Sequence, residues 1–214
     1  MSIVKITTFL LSGFWVTLGT VLCSSAIALL ISFIAGFLRL SKNAAVRIII
    51  SIYLGVFRGS SLLVQLFWLY YVLPFFGIKF TAFITAVLAI SLNYGAYGSE
   101  VVKSAVESIP RSQIEASVAL NFTPFQRMRK VILPQATVMM LPSFGNLQIE
   151  LIKATSLVSL ITLTDFSYFA TVLNNRILQT TDIYLVLLFI YFIFTRPFVA
   201  GMKWLERRLS VWRT

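Results

Sequence analysis

The chain has 214 residues, 58% of them hydrophobic and only 12% charged, with a mean hydropathy of +0.90 and a net charge of +11. A soluble domain carries about a quarter charged residues, so this composition specifies an integral membrane protein. With no histidine and a single cysteine, Cys23, an internal disulfide, a histidine or multi-thiolate metal site, and Ser–His or Cys–His catalysis are all excluded.

About 20 apolar residues cross a bilayer core. After Lys5 the chain runs uncharged over 6–38, far beyond the apolar core of a signal peptide, and is read as a retained first span over 14–38 behind an interfacial lead-in ending at Gly13. Arg39, Lys42 and Arg47 crowd the next loop. The apolar piece 48–57 is too short to span, and is either an interfacial helix or the deep start of a second span over 57–78. Lys79 marks a turn. A third span over 80–103 follows, with Glu100, Lys103 and Glu107 at helical pair spacings before Pro110.

The segment 112–134, SQIEASVALNFTPFQRMRKVILP, is the longest interval that a membrane does not accommodate. Ser112 with Glu115, and Thr123 with Gln126, are each spaced as a helix-capping box, and Pro124 suits a first helical position. Asn121 between them tolerates the left-handed turn that ends a helix. Pro134 is expected to stop the second helix at or before Leu133. The segment reads as an exposed helix–turn–helix knuckle with Arg127, Arg129 and Lys130 on its second helix. It suits either anionic lipid or a protein partner. Small Ala116 and Ala119, together with an outward Glu115, favour the protein.

A fourth stretch contains Pro134 and Pro142, with its span placed at 142–164. Residues 165–182 read as an outside loop, and the fifth span covers 183–203 with Arg196 and Pro197 near one end. The tail over 204–214 offers Trp204 and Trp212 as interface anchors. With the loop at 39–47, the knuckle segment with Lys103 and Arg111 ahead of it, and the tail counted from Lys203 on one side, twelve Lys/Arg gather there. Only Lys5, Lys79 and Arg176 lie on the other. The positive-inside rule therefore puts the N-terminus outside, and the knuckle and C-terminus in the cytoplasm. Basic residues between apolar runs speak for topology and lipid, not nucleic acid.

Ionisable residues within spans suggest function by default. Glu150 and Lys153 share a face of the fourth span, as a mutually neutralising pair or as the lining of a polar passage. Asn146, Gln148, Thr155 and Ser156 extend that polar surface. Gln65, Asn93, Tyr94 and Tyr97 either join it from spans two and three or bond to backbone carbonyls. Arg58 and Arg196 are expected to snorkel to headgroups. Gly95 and Gly98 permit close helix contact.

Four ordered motifs resemble one family. Glu115-Ala116, the position of Asn121 and Ile132-Leu133-Pro134 resemble the "EAA" loop of ABC-importer permeases. FRGSSLLVQLF (57–67), AYGSEVVKSAVESIP (96–110) and LIKATSLVSLI (151–161) resemble the polar amino-acid uptake subfamily, and the likeness covers 13–205. It implies an all-α type-1 transmembrane domain of about five spans with a cytoplasmic coupling loop, in a bacterial inner membrane. It also implies that the knuckle docks on a separate ATP-binding subunit through Glu115, Ala116, Ala119, Asn121, Arg127, Ile132, Leu133 and Pro134. Asn121 stands where the family has glycine, Ser117 where alanine is common, and Ser60-Ser61 where it has Thr-Pro.

No G-x-x-x-x-G-K-[ST] loop is present, so ATP and Mg are expected on two copies of the partner ATPase and no cofactor on this chain. Five helices favour a second permease copy or a paralogue around a two-fold axis, with an extracytoplasmic solute-binding protein delivering a polar amino acid or similar zwitterion. The expected pathway residues are Gln65, Asn93, Tyr97, Glu150, Lys153, Thr155 and Ser156. Two other classes are an intramembrane enzyme built on Ser156 and Lys153, and a passive channel.

Overall fold

The computed structural model describes residues 3–210, apart from the side chain of Ser210; Trp212 and Arg213 lie outside the described residues. The described chain is helical. Its helices are α1 Ile3–Leu10, α2 Phe14–Arg39, α3 Ala44–Gly59, α4 Leu62–Phe67, α5 Ala82–Glu107, α6 Arg111–Ala119, α7 Pro124–Arg127, α8 Leu133–Ala154, α9 Phe166–Ile177 and α10 Thr180–Ser210. Three helical stretches, Ile3–Arg39, Ala82–Glu107 and Thr180–Leu209, are each long and apolar enough to cross a membrane alone. Two bent pairs, Ala44–Gly59 with Leu62–Phe76 and Pro124–Ile161 with Phe166–Ile177, bring the number of spans to as many as five.

The α2–α5 pair is the most extensive helix contact, and small residues create it. Thr17, Thr20, Ser24, Ala28, Ser32, Ala35 and Gly36 form the buried stripe of α2. Between membrane helices, close backbone approach replaces the hydrophobic drive available in water. A Cβ at Gly95 would lie 2.6 Å from Ile31 Cγ2, one at Gly36 2.6 Å from Val102 Cβ, and one at Gly98 would collide with Ser32 Oγ. Most hydroxyls on this seam are satisfied within their own helix: Ser32 Oγ donates to the Ala28 carbonyl at 2.6 Å and Ser91 Oγ to that of Val87 at 2.5 Å, while Ser24 Oγ is buried without a partner. The close contact therefore buries few unpaired polar groups.

Several elements differ from the sequence expectations. The piece at 48–57, expected as either an interfacial helix or the start of span two, lies within the 16-residue helix α3, which meets the following helix at 103° across Ser60 and Ser61. The 165–182 stretch is not a plain loop. Asp165 caps α9 by accepting from the Tyr168 N–H at 2.8 Å, and Phe166, Ala170 and Leu173 are buried against α1 and α10. Pro134 does not stop its helix. A π-helical turn over Met128–Ile132 precedes it, and the widened hydrogen-bond step accommodates a ring that also lacks an N–H. The helix then runs unbroken through Pro142 to Ala154.

Candidate functional site

The knuckle is two short helices joined by a hydrogen-bonded corner. Helix α6 starts behind Pro110 with no side-chain cap, so the Ser112–Glu115 capping box does not form; Ser112 lies inside the first turn. The end of α6 matches the expectation. Asn121 is left-handed at φ 55°, its N–H reaches the Val118 carbonyl at 2.8 Å, and the Phe122 N–H reaches that of Ser117 at 3.0 Å. Those paired bonds are a Schellman motif, which satisfies carbonyls that a helix end otherwise leaves open. The second box does form: Gln126 N–H donates to Thr123 Oγ1 at 3.3 Å, and Thr123 N–H to Gln126 Oε1 at 3.0 Å.

Of the expected docking residues, Glu115, Ala116, Ala119, Asn121 and Pro134 are exposed, while Arg127 and Leu133 are half-buried. Ile132 turns inward, packing with Val102, Ala105, Val106 and Ile109 and so fixing the knuckle to the end of α5. Ser117 is also buried, with its hydroxyl on the Ile114 carbonyl. Arg127 carries a buried Nε with no hydrogen-bond partner. Around Glu115 the knuckle exposes Val118, Leu120 and Phe125, large apolar side chains that its own chain leaves uncovered.

The polar residues divide into two kinds. Gln65 and Asn93 hold the α3–α4 corner. Gln65 Nε2 donates to the Phe57 carbonyl at 2.9 Å and to Ser60 Oγ at 2.9 Å; Asn93 Nδ2 donates to the same Phe57 carbonyl at 2.8 Å and to Gln65 Oε1 at 3.2 Å. This amide pair satisfies a carbonyl released where α3 ends, so the corner is held without the proline that Ser61 replaces. Thr155 is buried with its hydroxyl on the Ile152 carbonyl, and Ser156 Oγ donates to that of Lys153 at 2.8 Å. Gln148 also turns into the bundle, donating to Ser25 Oγ at 2.8 Å.

Glu150 and Lys153, by contrast, are exposed, and no ion pair joins them. Tyr97 is partly exposed, with the Arg58 guanidinium 5.4 Å from its ring centre. Arg58 is therefore not merely snorkelling: its Nη1 lies 2.8 Å from Glu100 Oε2, which Arg39 Nη1 approaches at 2.9 Å. Glu107 pairs with Lys103 at 3.7 Å, and Arg196 stacks 4.1 Å over Phe192.

Sequence reasoning missed Asp165, a fully buried carboxylate where the fourth span breaks. Besides capping α9, its Oδ2 accepts from the Tyr191 hydroxyl at 3.2 Å, tying α9 to α10. An Asp three residues before Tyr168, opening an apolar run, was the available cap signal.

Membrane-length helices, two bent helix pairs and an exposed, hydrogen-bonded helix pair define an all-helical integral membrane protein. The model of the family described as "Binding-protein-dependent transport system inner membrane component" matches residues 6–211. The chain is 42% identical over 207 residues to the probable amino-acid ABC transporter permease protein y4tF of Sinorhizobium fredii, covering 94% of this chain and 87% of that one. It is 35% identical to the L-cystine transport system permease protein TcyB of Bacillus subtilis, over 92% of this chain and 85% of that one. Among solved structures, an amino acid ABC transporter with histidines superposes with a TM-score of 0.88 at 31% identity, covering 96% of each chain. The MetNI methionine ABC transporter shares the fold, with a TM-score of 0.80 at 21% identity over 98% of this chain and 99% of that one.

The chain belongs to the family of binding-protein-dependent transport system inner membrane components. It is the permease subunit of an ABC importer and not itself an enzyme; the partner that binds ATP is a separate subunit.

Proposed function

We propose that this permease imports a polar or zwitterionic amino acid, or a close structural analogue. Support comes from its relatives, whose names specify amino acids, L-cystine and histidines. In this reading the domain spans 13–205, the N-terminus lies outside, and the C-terminal tail and the 112–134 knuckle lie in the cytoplasm. Two permease copies, or this chain with a paralogue, enclose the pathway. A binding protein delivers solute from outside, and two ATP-binding subunits sit beneath.

One observation carries the mechanism. The knuckle is braced at its corner by hydrogen bonds and packed through Ile132 on the end of α5, yet its outer face is uncovered. Asn121 and the Thr123–Gln126 box fix the angle between α6 and α7, and Ile132 fastens both to the α5 end. A load applied at Glu115, Ala116 and Ala119 is passed to the spans rather than lost in a flexible loop. Closure of the ATPases on ATP then rocks the two permease halves between outward and inward openings. Arg127, with its orphaned Nε, and Leu133 and Pro134 flank the docking face.

For the solute, Glu150, Lys153 and Tyr97 are the groups free to meet a zwitterion. Gln65, Asn93, Thr155 and Ser156 serve behind them by holding the backbone that shapes the passage. The hydroxyl of Ser156 rests on a backbone carbonyl, which does not suit it to a serine–lysine nucleophile.

Glu115→Lys is the direct test. It is expected to remove the ATPase subunit from the purified complex and to abolish uptake while the permease still reaches the membrane. Retained ATPase and normal uptake would refute the docking assignment.

A further inference from the structure

Arg39, Arg58 and Glu100 meet from three different helices at one atom. Both guanidiniums bond to Glu100 Oε2, at 2.9 and 2.8 Å. Two cations against one anion leave a surplus positive charge. Charge of that kind at a helix flank within or beside a bilayer is costly unless it finds a counter-ion. The donor count tells the same story. Each guanidinium carries five N–H donors, and among the described residues each makes this one hydrogen bond only.

The unused donors border open space. Arg39, Arg58 and Tyr97 line an open pocket of about 480 Å³ together with Gly55 and Gly59. At either glycine an added Cβ would meet nothing within 4 Å, so no neighbouring side chain fills the pocket there. Arg39 is 16% exposed and Arg58 37% exposed, which leaves both within reach of a small group. Stacking of Arg58 near the Tyr97 ring holds its planar fork in place.

We propose that Arg39 and Arg58 form a binding site for a singly charged oxyanion, with Glu100 as the fixed partner that holds the two forks together. Paired guanidiniums recognise phosphate and carboxylate through the same parallel N–H donors. The ligand is thus either the phosphodiester of an anionic lipid or a carboxylate on a solute leaving the pathway. The site includes no knuckle residue and neither Glu150 nor Lys153, and shares Tyr97 with the solute-facing groups named above. Only its solute form rests on the import reading above.

Phenylglyoxal labelling of the purified permease–ATPase complex, read arginine by arginine by mass spectrometry, tests the site without requiring transport. Arg47, exposed and bonded to the backbone carbonyls of Ser41 and Lys42, serves as the reference. A lipid ligand is expected to slow labelling of Arg39 and Arg58 several-fold relative to Arg47 in nanodiscs containing phosphatidylglycerol, but not in pure phosphatidylcholine. A solute carboxylate is expected to give the same protection in phosphatidylcholine when acetate is added. Glu100→Gln removes the carboxylate charge that holds the two forks together and is expected to weaken whichever protection is seen. Labelling that tracks Arg47 in every condition overturns the site. A knuckle variant that loses uptake leaves this readout untouched, so failure of the import reading and failure of the site are distinguishable.

Discussion

Gly13 lies directly against the backbone of Asp165: a Cβ built on the glycine would stand 2.5 Å from the Asp165 carbonyl carbon and 2.7 Å from its oxygen. Backbone atoms do not swing aside as a side-chain tip does. Gly13→Ala is therefore expected to destabilise the fold by about 1–3 kcal/mol, the usual cost of overpacking. Gly55→Ala, where an added Cβ meets open space, is the control. Thermal unfolding of the detergent-solubilised complex checks this, and equal midpoints for the two variants would contradict it.

The α2–α5 seam permits a rescue experiment. Gly36→Ala drives a methyl group into Val102, and Val102→Ala removes the obstructing carbons while leaving a void. Each single variant is expected to lose stability, and the double variant to lose less than their sum. A coupling energy of about 0.5–3 kcal/mol is the range for residues in contact. Strict additivity would show that the two do not share this space.

At the knuckle corner, Asn121→Gly is expected to keep ATPase co-purification and uptake, because glycine takes φ 55° without strain. Asn121→Val places a branched side chain in the left-handed region, where an ordinary L-residue pays about 1–2 kcal/mol. That variant is expected to lose uptake more than abundance in the membrane. Loss of uptake in the glycine variant at normal expression would contradict the account of the turn.

The Gln65–Asn93 amide pair is expected to behave as scaffold. Replacing both with Leu leaves the Phe57 carbonyl without either donor, and an unsatisfied buried acceptor costs about 1–3 kcal/mol. The melting point should fall while KM for the transported amino acid stays near its original value. A raised KM with unchanged melting would place these side chains against the solute instead.

Asp165→Ala removes the α9 cap and leaves the Tyr191 hydroxyl without its carboxylate. Asp165→Asn keeps an acceptor oxygen for the Tyr168 N–H. Loss of a helix cap alone costs about 0.5–2 kcal/mol, so the alanine variant is expected to melt clearly below the asparagine variant. Indistinguishable melting would show that the buried carboxylate contributes little to holding the break.

The knuckle was legible in the sequence because its determinants are local. Thr123, Pro124 and Gln126 specify a helix start within four residues, and Asn121 is one of the few residues at ease with positive φ. The Ser112–Glu115 box shows the limit of such patterns: Pro110, two residues earlier, already opens the helix, so Ser112 has no cap to form. Pro134 misled for a related reason. A proline forbids a regular α-helical bond, but a π turn just before it removes the conflict, and spacing alone does not reveal which solution the chain adopts.

Composition and apolar run length by themselves determined that this chain is a multi-span membrane protein, because burying about 20 backbone units in hydrocarbon requires continuous apolar helix wherever it occurs. Charge placement, likewise a property of the linear chain, set the expected topology. Partnership was decided only in three dimensions. Gln65 and Asn93, 28 residues apart, met on one carbonyl, Arg58 turned from the headgroups to Glu100, and Glu150 and Lys153 were left unpaired despite sharing a helix. Helix periodicity fixes the direction of a side chain relative to its own axis. Which neighbouring helix it meets depends on how closely the axes approach, and here glycines and serines on α2 and α5 set that distance.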